Sequence, residues 1–437
     1  MRGTDLAGLA AVMQTTGLSF DQAPPISVPF RFFLTVPLFI VAASALLLWA
    51  GPSALLERHN PATLAIVHLF TLGVLSMTMC GALMQLLPVV AGVSIGKPRL
   101  VATLVHLNLS AGSLLLAGGF LWGWKPAFLA ASICLALGFG AFFVAAGAGL
   151  LRVATRSATT LAVSLAVLAL LVTVVFGICL ALLRGGLAMD FYAPFAVLHP
   201  FWGLAGWVGL LLIGVAYQVV PMFQLTPNYP ATLTRWMAPI LFGLLILWSL
   251  AEAGNDVRYA LEAGLAAVYA GFALTTLYLH SLRRRRQVDT SLLFWRVSML
   301  SLSGALILWE TAGLLPHGWR DRIELSAGIL IIVGFALSAI NGMLYKIVPF
   351  LIWFHLQSSL PGRHAVPNMK EILPEVWARR QFWLYLASFL TLLAAVVWSP
   401  LVYPAAILLA ASALALWHNL LRACYRRREA GHAAPGI

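Results

Sequence analysis

Twelve apolar runs, most of them twenty residues or longer, fill almost the whole of this 437-residue chain. A stretch of about 20 such residues spans the roughly 30 Å hydrocarbon core of a bilayer at helical rise. Inside lipid the backbone must satisfy its own polar groups, so each run is expected to be a helix. The runs cover roughly 30–51, 61–92, 99–121, 125–152, 158–184, 194–224, 234–253, 257–282, 290–315, 324–356, 378–398 and 400–424. Hydrophobic residues make up 61% and charged residues 9% of the sequence, which excludes a soluble domain of this length. The alternating pattern of a membrane β-barrel is missing. The expected fold is all-α and polytopic, a single integral membrane domain.

A short pattern recurs three times. It reads Gly73-x7-Gly81-x3-Gln85-x2-Pro88, then Gly206-x7-Gly214-x3-Gln218-x2-Pro221, then Gly334-x7-Gly342-x3-Lys346-x2-Pro349, at offsets of 133 and 128 residues. The copies lie on spans 2, 6 and 10, so every fourth helix matches. A period of that kind implies three similar four-helix blocks, roughly 30–152, 158–282 and 290–424. Pro88, Pro221 and Pro349 are expected to end or kink their helices at the membrane edge. Gln85, Gln218 and Lys346 are expected to cap or to snorkel, with Lys346 reaching the interface.

Lys and Arg are concentrated on one set of loops. The run Arg283 to Arg286, Arg379, Arg380 and Arg426 to Arg428 lie on that side, against Arg58, Lys125, Arg184, Arg258, Arg320 and Arg322 on the other. By the positive-inside rule both termini lie in the cytoplasm, with the protein in a bacterial-type inner membrane. The net charge of +13 then reports topology and attraction to anionic lipid rather than a nucleic-acid partner. The first 28 residues carry Asp5 and Asp21 and lack the order of a cleavable signal, so insertion through span 1 is expected. The longest loop, about 357–377, leaves no room for an extramembrane catalytic domain. Cys80, Cys134, Cys179 and Cys424 sit in spans or at an inner end, which suggests no disulfide framework.

No Walker motif, GxSxG or CxxC occurs. Glu252, Glu262, Glu310 and Glu324 stand near span ends, and no carboxylate falls at the bilayer centre. This disfavours a carboxylate-driven pump or transporter. Histidine is the informative residue. His68 lies about seven residues into span 2, roughly 10 Å below the outer surface at helical rise. His199 lies at similar depth in span 6, and His106 sits on the inner side of span 3. Neutral imidazole is a good ligand for haem iron and copper, and burial favours the neutral form. His68, inside the repeat, is read as a metal and haem ligand. His199 is an even choice between ligand and structure, and His106 is a further metal candidate that leans to a structural role. Gly203, Gly206, Gly209 and Gly214 after His199 admit either a macrocycle or a close helix, and both readings stand at this point. Met77, Cys80 and Met84 share one helical face, and Met79 shares that of His68, which makes copper a minor option and core packing the major one. His280, His355 and His418 are expected at the interface, with His59 and His317 in outer loops.

Twelve spans in three arcs, with a His early in span 2, resemble subunit I of the haem–copper oxidase superfamily. The run His68-x4-Gly73-x7-Gly81-x6-Pro88-x3-Gly92 is closer to NnrS-type membrane haem–copper proteins. The resemblance implies a haem b held by His68, with copper as an option. His199-Pro200 resembles the start of the oxidase copper site, but its tyrosine place is Gly203. Spans 7 and 10 lack the histidines that complete the oxygen-reducing centre. The expectation is a membrane haem protein without that binuclear centre, serving electron transfer or a diatomic such as nitric oxide, with a soluble cytochrome or copper protein as partner outside. A non-enzymatic protein assisting oxidase cofactor assembly or stress tolerance, and a small-solute or metal transporter, are the alternatives.

Overall fold

A computed structural model describes residues 23–91, 95–153, 157–188, 194–285, 287–312, 319–359 and 366–432. Asp5, Asp21, Gly92, Arg286 and His317 lie outside these residues. Among the described residues there are twelve helices long and apolar enough to cross a membrane. They are Ser27–Leu55 (α1), Pro61–Val89 (α2), Pro98–Trp122 (α3), Lys125–Leu151 (α4), Ala158–Arg184 (α5), Phe195–Gln224 (α6), Ala231–Leu250 (α7), Asp256–Ser281 (α8), Thr290–Thr311 (α9), Arg320–Gln357 (α10), Glu375–Val397 (α11) and Ser399–Glu429 (α12). The protein is therefore an all-α, multi-pass membrane protein. Twelve crossings bring both ends of the described chain to one face, here called the terminal face.

Helix starts follow local chemistry. Asn60 caps α2 by accepting from the Ala62 N–H at 2.9 Å, with Pro61 in the first turn, where its missing N–H costs nothing. Ser157 accepts from the Thr160 N–H at 3.1 Å at the start of α5, and Asp289 from the Leu292 N–H at 3.0 Å at the start of α9. α10 begins four residues before its apolar run. Its charged first turn is held by Glu324, which pairs with Arg320 and with Arg58 from the α1–α2 connection, both at 3.2 Å.

The three helices that carry the repeat are the innermost. Two thirds of the apolar window of α2, α6 and α10 is buried, against half or less in every other span. They touch one another around the centre. The Trp207 indole of α6 donates to the Ser76 hydroxyl of α2 at 3.3 Å, and Phe223 of α6 packs edge-on against Phe350 of α10 with centroids 5.8 Å apart.

Each repeat glycine marks a close helix contact. A Cβ on Gly73 would stand 2.2 Å from the Phe39 ring, and one on Gly81 2.6 Å from Phe32, both on α1. The equivalents on α6 meet Ala169 and Ala162 of α5 at 2.8 and 2.7 Å, and those on α10 meet Ser301 and Phe294 of α9 at 2.5 and 2.9 Å. In every copy the two glycines seat the helix on its predecessor, at two positions eight residues apart. Small residues let backbones approach where lipid offers no hydrophobic drive for association.

The repeat also carries a feature absent from the pattern of residues. Eight residues around the first glycine are π-helical in all three copies: Leu69–Ser76, Trp202–Gly209 and Leu330–Leu337. A π turn holds about one residue more than an α turn, so the register beyond it slips. This corrects the expectation that Met79 shares the face of His68, which assumed an unbroken α-helix. Met77, Met79, Cys80 and Met84 are all buried in the core. Widened turns also leave carbonyls for other donors: the Tyr269 hydroxyl of α8 donates to the Ala205 carbonyl, and the Tyr385 hydroxyl of α11 to that of Val333.

Of the two roles expected for Pro88, Pro221 and Pro349, ending the helix is excluded, because the helices run on to Ala91, Gln224 and Ser359. Two further expectations are corrected. Lys346 does not snorkel, because its ammonium is held 2.9 Å from the Asp289 carboxylate. His280 is not interfacial but buried.

Candidate metal centre

His68 is the last residue of the α-helical first part of α2, immediately before the π segment. Its Nδ1 lies 2.7 Å from the Leu64 carbonyl one turn earlier. His199 occupies the matching stretch of α6, and its Nδ1 lies 3.0 Å from the carbonyl of Thr173 on α5. A carbonyl only accepts, so each Nδ1 bears the proton and each Nε2 carries the free lone pair. The two hydrogen bonds fix tautomer and ring direction, which is how protein carbonyls orient metal-ligating imidazoles.

The fold brings these two rings together although 131 positions separate them in sequence. Their centroids stand 6.2 Å apart and their planes are within 10° of parallel. Offset-stacked rings reach this separation. A metal bound through an imidazole nitrogen at about 2.0–2.1 Å lies roughly 3.2 Å from the ring centre. Two such rings on opposite sides of one ion would have centres about 6.4 Å apart, so the spacing suits that arrangement as well. Among the described residues no hydrogen bond engages either Nε2.

The surroundings are built for the pair. Gly177 lets His199 close on α5, since a Cβ there would stand 2.8 Å from the ring's Cε1. Phe120 of α3 lies beside His68 with centroids 5.1 Å apart, and is itself braced edge-on by Phe128 of α4. A cavity of about 150 Å³ lies one turn from His68, at Leu64; it is lined by Pro61, Leu64, Gly119, Phe120 and Phe128, with His59, Lys125 and Arg184 also in its wall, and neither His68 nor His199 lines it. The exposed cations Lys125 and Arg184 place positive charge at the outer end of the site.

His106 stands apart from the pair. Its Nε2 makes a 2.8 Å hydrogen bond with the Thr35 hydroxyl, and Phe32 packs edge-on against the ring. Its structural reading is the one this environment favours. His355 bonds the Leu351 carbonyl at 2.9 Å, and His418 stacks on Trp377. Among the described residues no group of three or more His, Cys, Asp or Glu side chains gathers to hold an ion. The centre therefore offers two protein donors.

Sequence reasoning pointed to His68 and His199 separately. It missed Gly177, the Thr173 carbonyl and Phe120, which lie on α5 and α3 and have no motif of their own. A glycine two-thirds along an otherwise bulky span was the one available sign. No protein-family model matches the chain, and no curated protein matches it.

Proposed function

We propose that this protein is a membrane haem protein in which His68 and His199 would hold one b-type haem. The observation that carries the reading is the ring pair itself: two near-parallel imidazoles, each with Nδ1 committed to a carbonyl and Nε2 free. Iron ligated by two imidazoles supplies one-electron redox chemistry. The chain's own residues do the rest. Leu64 and Thr173 orient the rings, Phe120 walls the site, and Lys125 and Arg184 offer charge complementary to carboxylates at the mouth. Were both imidazoles to hold the iron, the site would favour electron transfer over binding of a diatomic. The likeness of the His68 run to NnrS-type proteins supports the haem. The loops near the mouth are poor in charge relative to those of the terminal face, which suits a bacterial inner membrane with cytoplasmic termini. A soluble cytochrome or copper protein on the outer side is the matching partner.

A second reading follows from cavity size. About 150 Å³ is room for a benzene-sized molecule and neither ring lines that space, so a macrocycle requires the helices around His68 and His199 to part locally. A single copper ion between the two imidazoles needs no such opening. Elemental analysis and a pyridine haemochrome spectrum of the detergent-purified protein separate the two. Haem at one per chain, lost in both His68→Ala and His199→Ala, supports the first reading. Copper at one per chain without pigment, lost in the same variants, supports the second. A colourless, metal-free protein after haem and copper are supplied overturns both.

A further inference from the structure

The terminal end of α8 and the start of α9 hold a cluster whose polar demands the protein does not meet. His280 is 1% exposed, and both its ring nitrogens lack a hydrogen-bond partner. The Nε and Nη1 of Arg283 are sealed and unpartnered as well, while its Nη2 donates to the Gln287 carbonyl at 2.8 Å. Buried polar groups are paired in nearly all native structures, and each orphan costs free energy.

The charges around them are unbalanced. Arg283, Arg296 and Asp289 lie within electrostatic reach of the His280 ring. Asp289 is already engaged, by Lys346 at 2.9 Å and by Arg285 at 3.6 Å. Another carboxylate, Glu375, accepts from the Thr290 backbone and hydroxyl and pairs with Arg379. Four cations therefore surround one shared carboxylate. Burial draws the Arg283 guanidinium below its usual pKa, Asp289 opposes that, and Arg285 and Arg296 reinforce it, as expected for a cation short of negative charge.

We propose that the basic cluster at the ends of α8 and α9 binds a phosphate-bearing anion, with His280, Arg283 and Arg296 as its donors. A phosphate group brings several acceptor oxygens and negative charge together, which is what two orphaned donors and an excess of arginine require. Exposed Leu282 and Val288 neighbour the cluster in the chain. An apolar flank beside basic groups at a helix end is the arrangement that takes an anionic lipid headgroup. Free phosphate meets the same polar demand without using that flank.

The test uses the full-length protein purified in neutral detergent, followed by thermal unfolding and native mass spectrometry. Phosphatidylglycerol, phosphatidylcholine and inorganic phosphate are the probes. Protection and a retained adduct with phosphatidylglycerol, but not with phosphatidylcholine or inorganic phosphate, assign a lipid headgroup. Protection by inorganic phosphate alone assigns a soluble anion. In either case the shift disappears in Arg283→Gln/Arg296→Gln and persists in Arg320→Gln/Arg322→Gln at the opposite face. No protection by either anion, or undiminished protection in the first double variant, overturns the proposal. Should that variant not fold, competition of phosphatidylglycerol against phosphatidylcholine on the unaltered protein decides, and equal retention overturns it. The outcome is independent of whether the metal centre holds haem.

Discussion

Gly177 sets how near His199 comes to α5, and so where its Nε2 stands relative to His68. Gly177→Ala puts a methyl 2.8 Å from the ring. The expected result is a loss of about tenfold in metal or haem affinity, the low end of what a lost positioning contact costs, with little change in thermal stability. Absorbance of the purified variant during titration measures it. Asp289 gives a second prediction at this scale. Burial pushes its carboxyl up, but the Lys346 ion pair and hydrogen bond, the Leu292 N–H and Arg283 outweigh that and hold it below the usual carboxylate value. A depressed acid contributes stability above its unfolded pKa, and loses it as pH falls through the folded value. The unfolding temperature should therefore be level near neutrality and fall below about pH 4. Asp289→Asn should cost ~2 kcal/mol at neutral pH, by stranding Lys346, and should flatten the acid limb of that curve.

At the scale of elements, the paired glycines and the π segments act together. The glycines bring α2, α6 and α10 hard against α1, α5 and α9. The π turns then absorb the mismatch between those close contacts and the packing of the three central helices. Gly73→Ala forces a methyl into the Phe39 ring and should cost about 1–3 kcal/mol as overpacking. Adding Phe39→Ala should recover part of that loss, which thermal unfolding of the single and double variants would show as a coupling between the sites. The same local geometry serves the metal centre. His68 ends an α-helical stretch where the π segment begins, a common place for functional side chains. The matching place on the other repeat helices holds Phe201 and Ile329. Phe201 stacks on Trp248 with centroids 3.9 Å apart. The second proposed ligand, His199, stands two residues earlier, so the pair is not a product of the repeat's symmetry.

For the whole molecule, an even number of crossings places the connections at Trp124 and Gly254 on one face and Lys370 on the other. Single cysteines introduced at these positions should react with a membrane-impermeant thiol reagent on intact cells at Trp124 and Gly254, and only after lysis at Lys370. The reverse pattern would invert the orientation read from Lys and Arg placement. The candidate centre lies at the Trp124 face, and the unbalanced basic cluster at the other. Two chemically distinct sites therefore occupy opposite ends of one bundle.

Span number, span limits within a few residues, the fourfold period of the motif and the two lipid-depth histidines were legible in the chain. Each follows from local hydropathy, helical rise or spacing, which need no knowledge of neighbours. Tertiary structure alone decided that His68 meets His199 while His106 bonds Thr35. It also decided that Lys346 turns inward to Asp289 and that His280 is buried without a partner. Those outcomes depend on which helix faces which, and on π turns that shift side-chain direction partway along a span. Hydropathy carries almost none of that information, because in lipid both the buried and the exposed face of a helix are apolar.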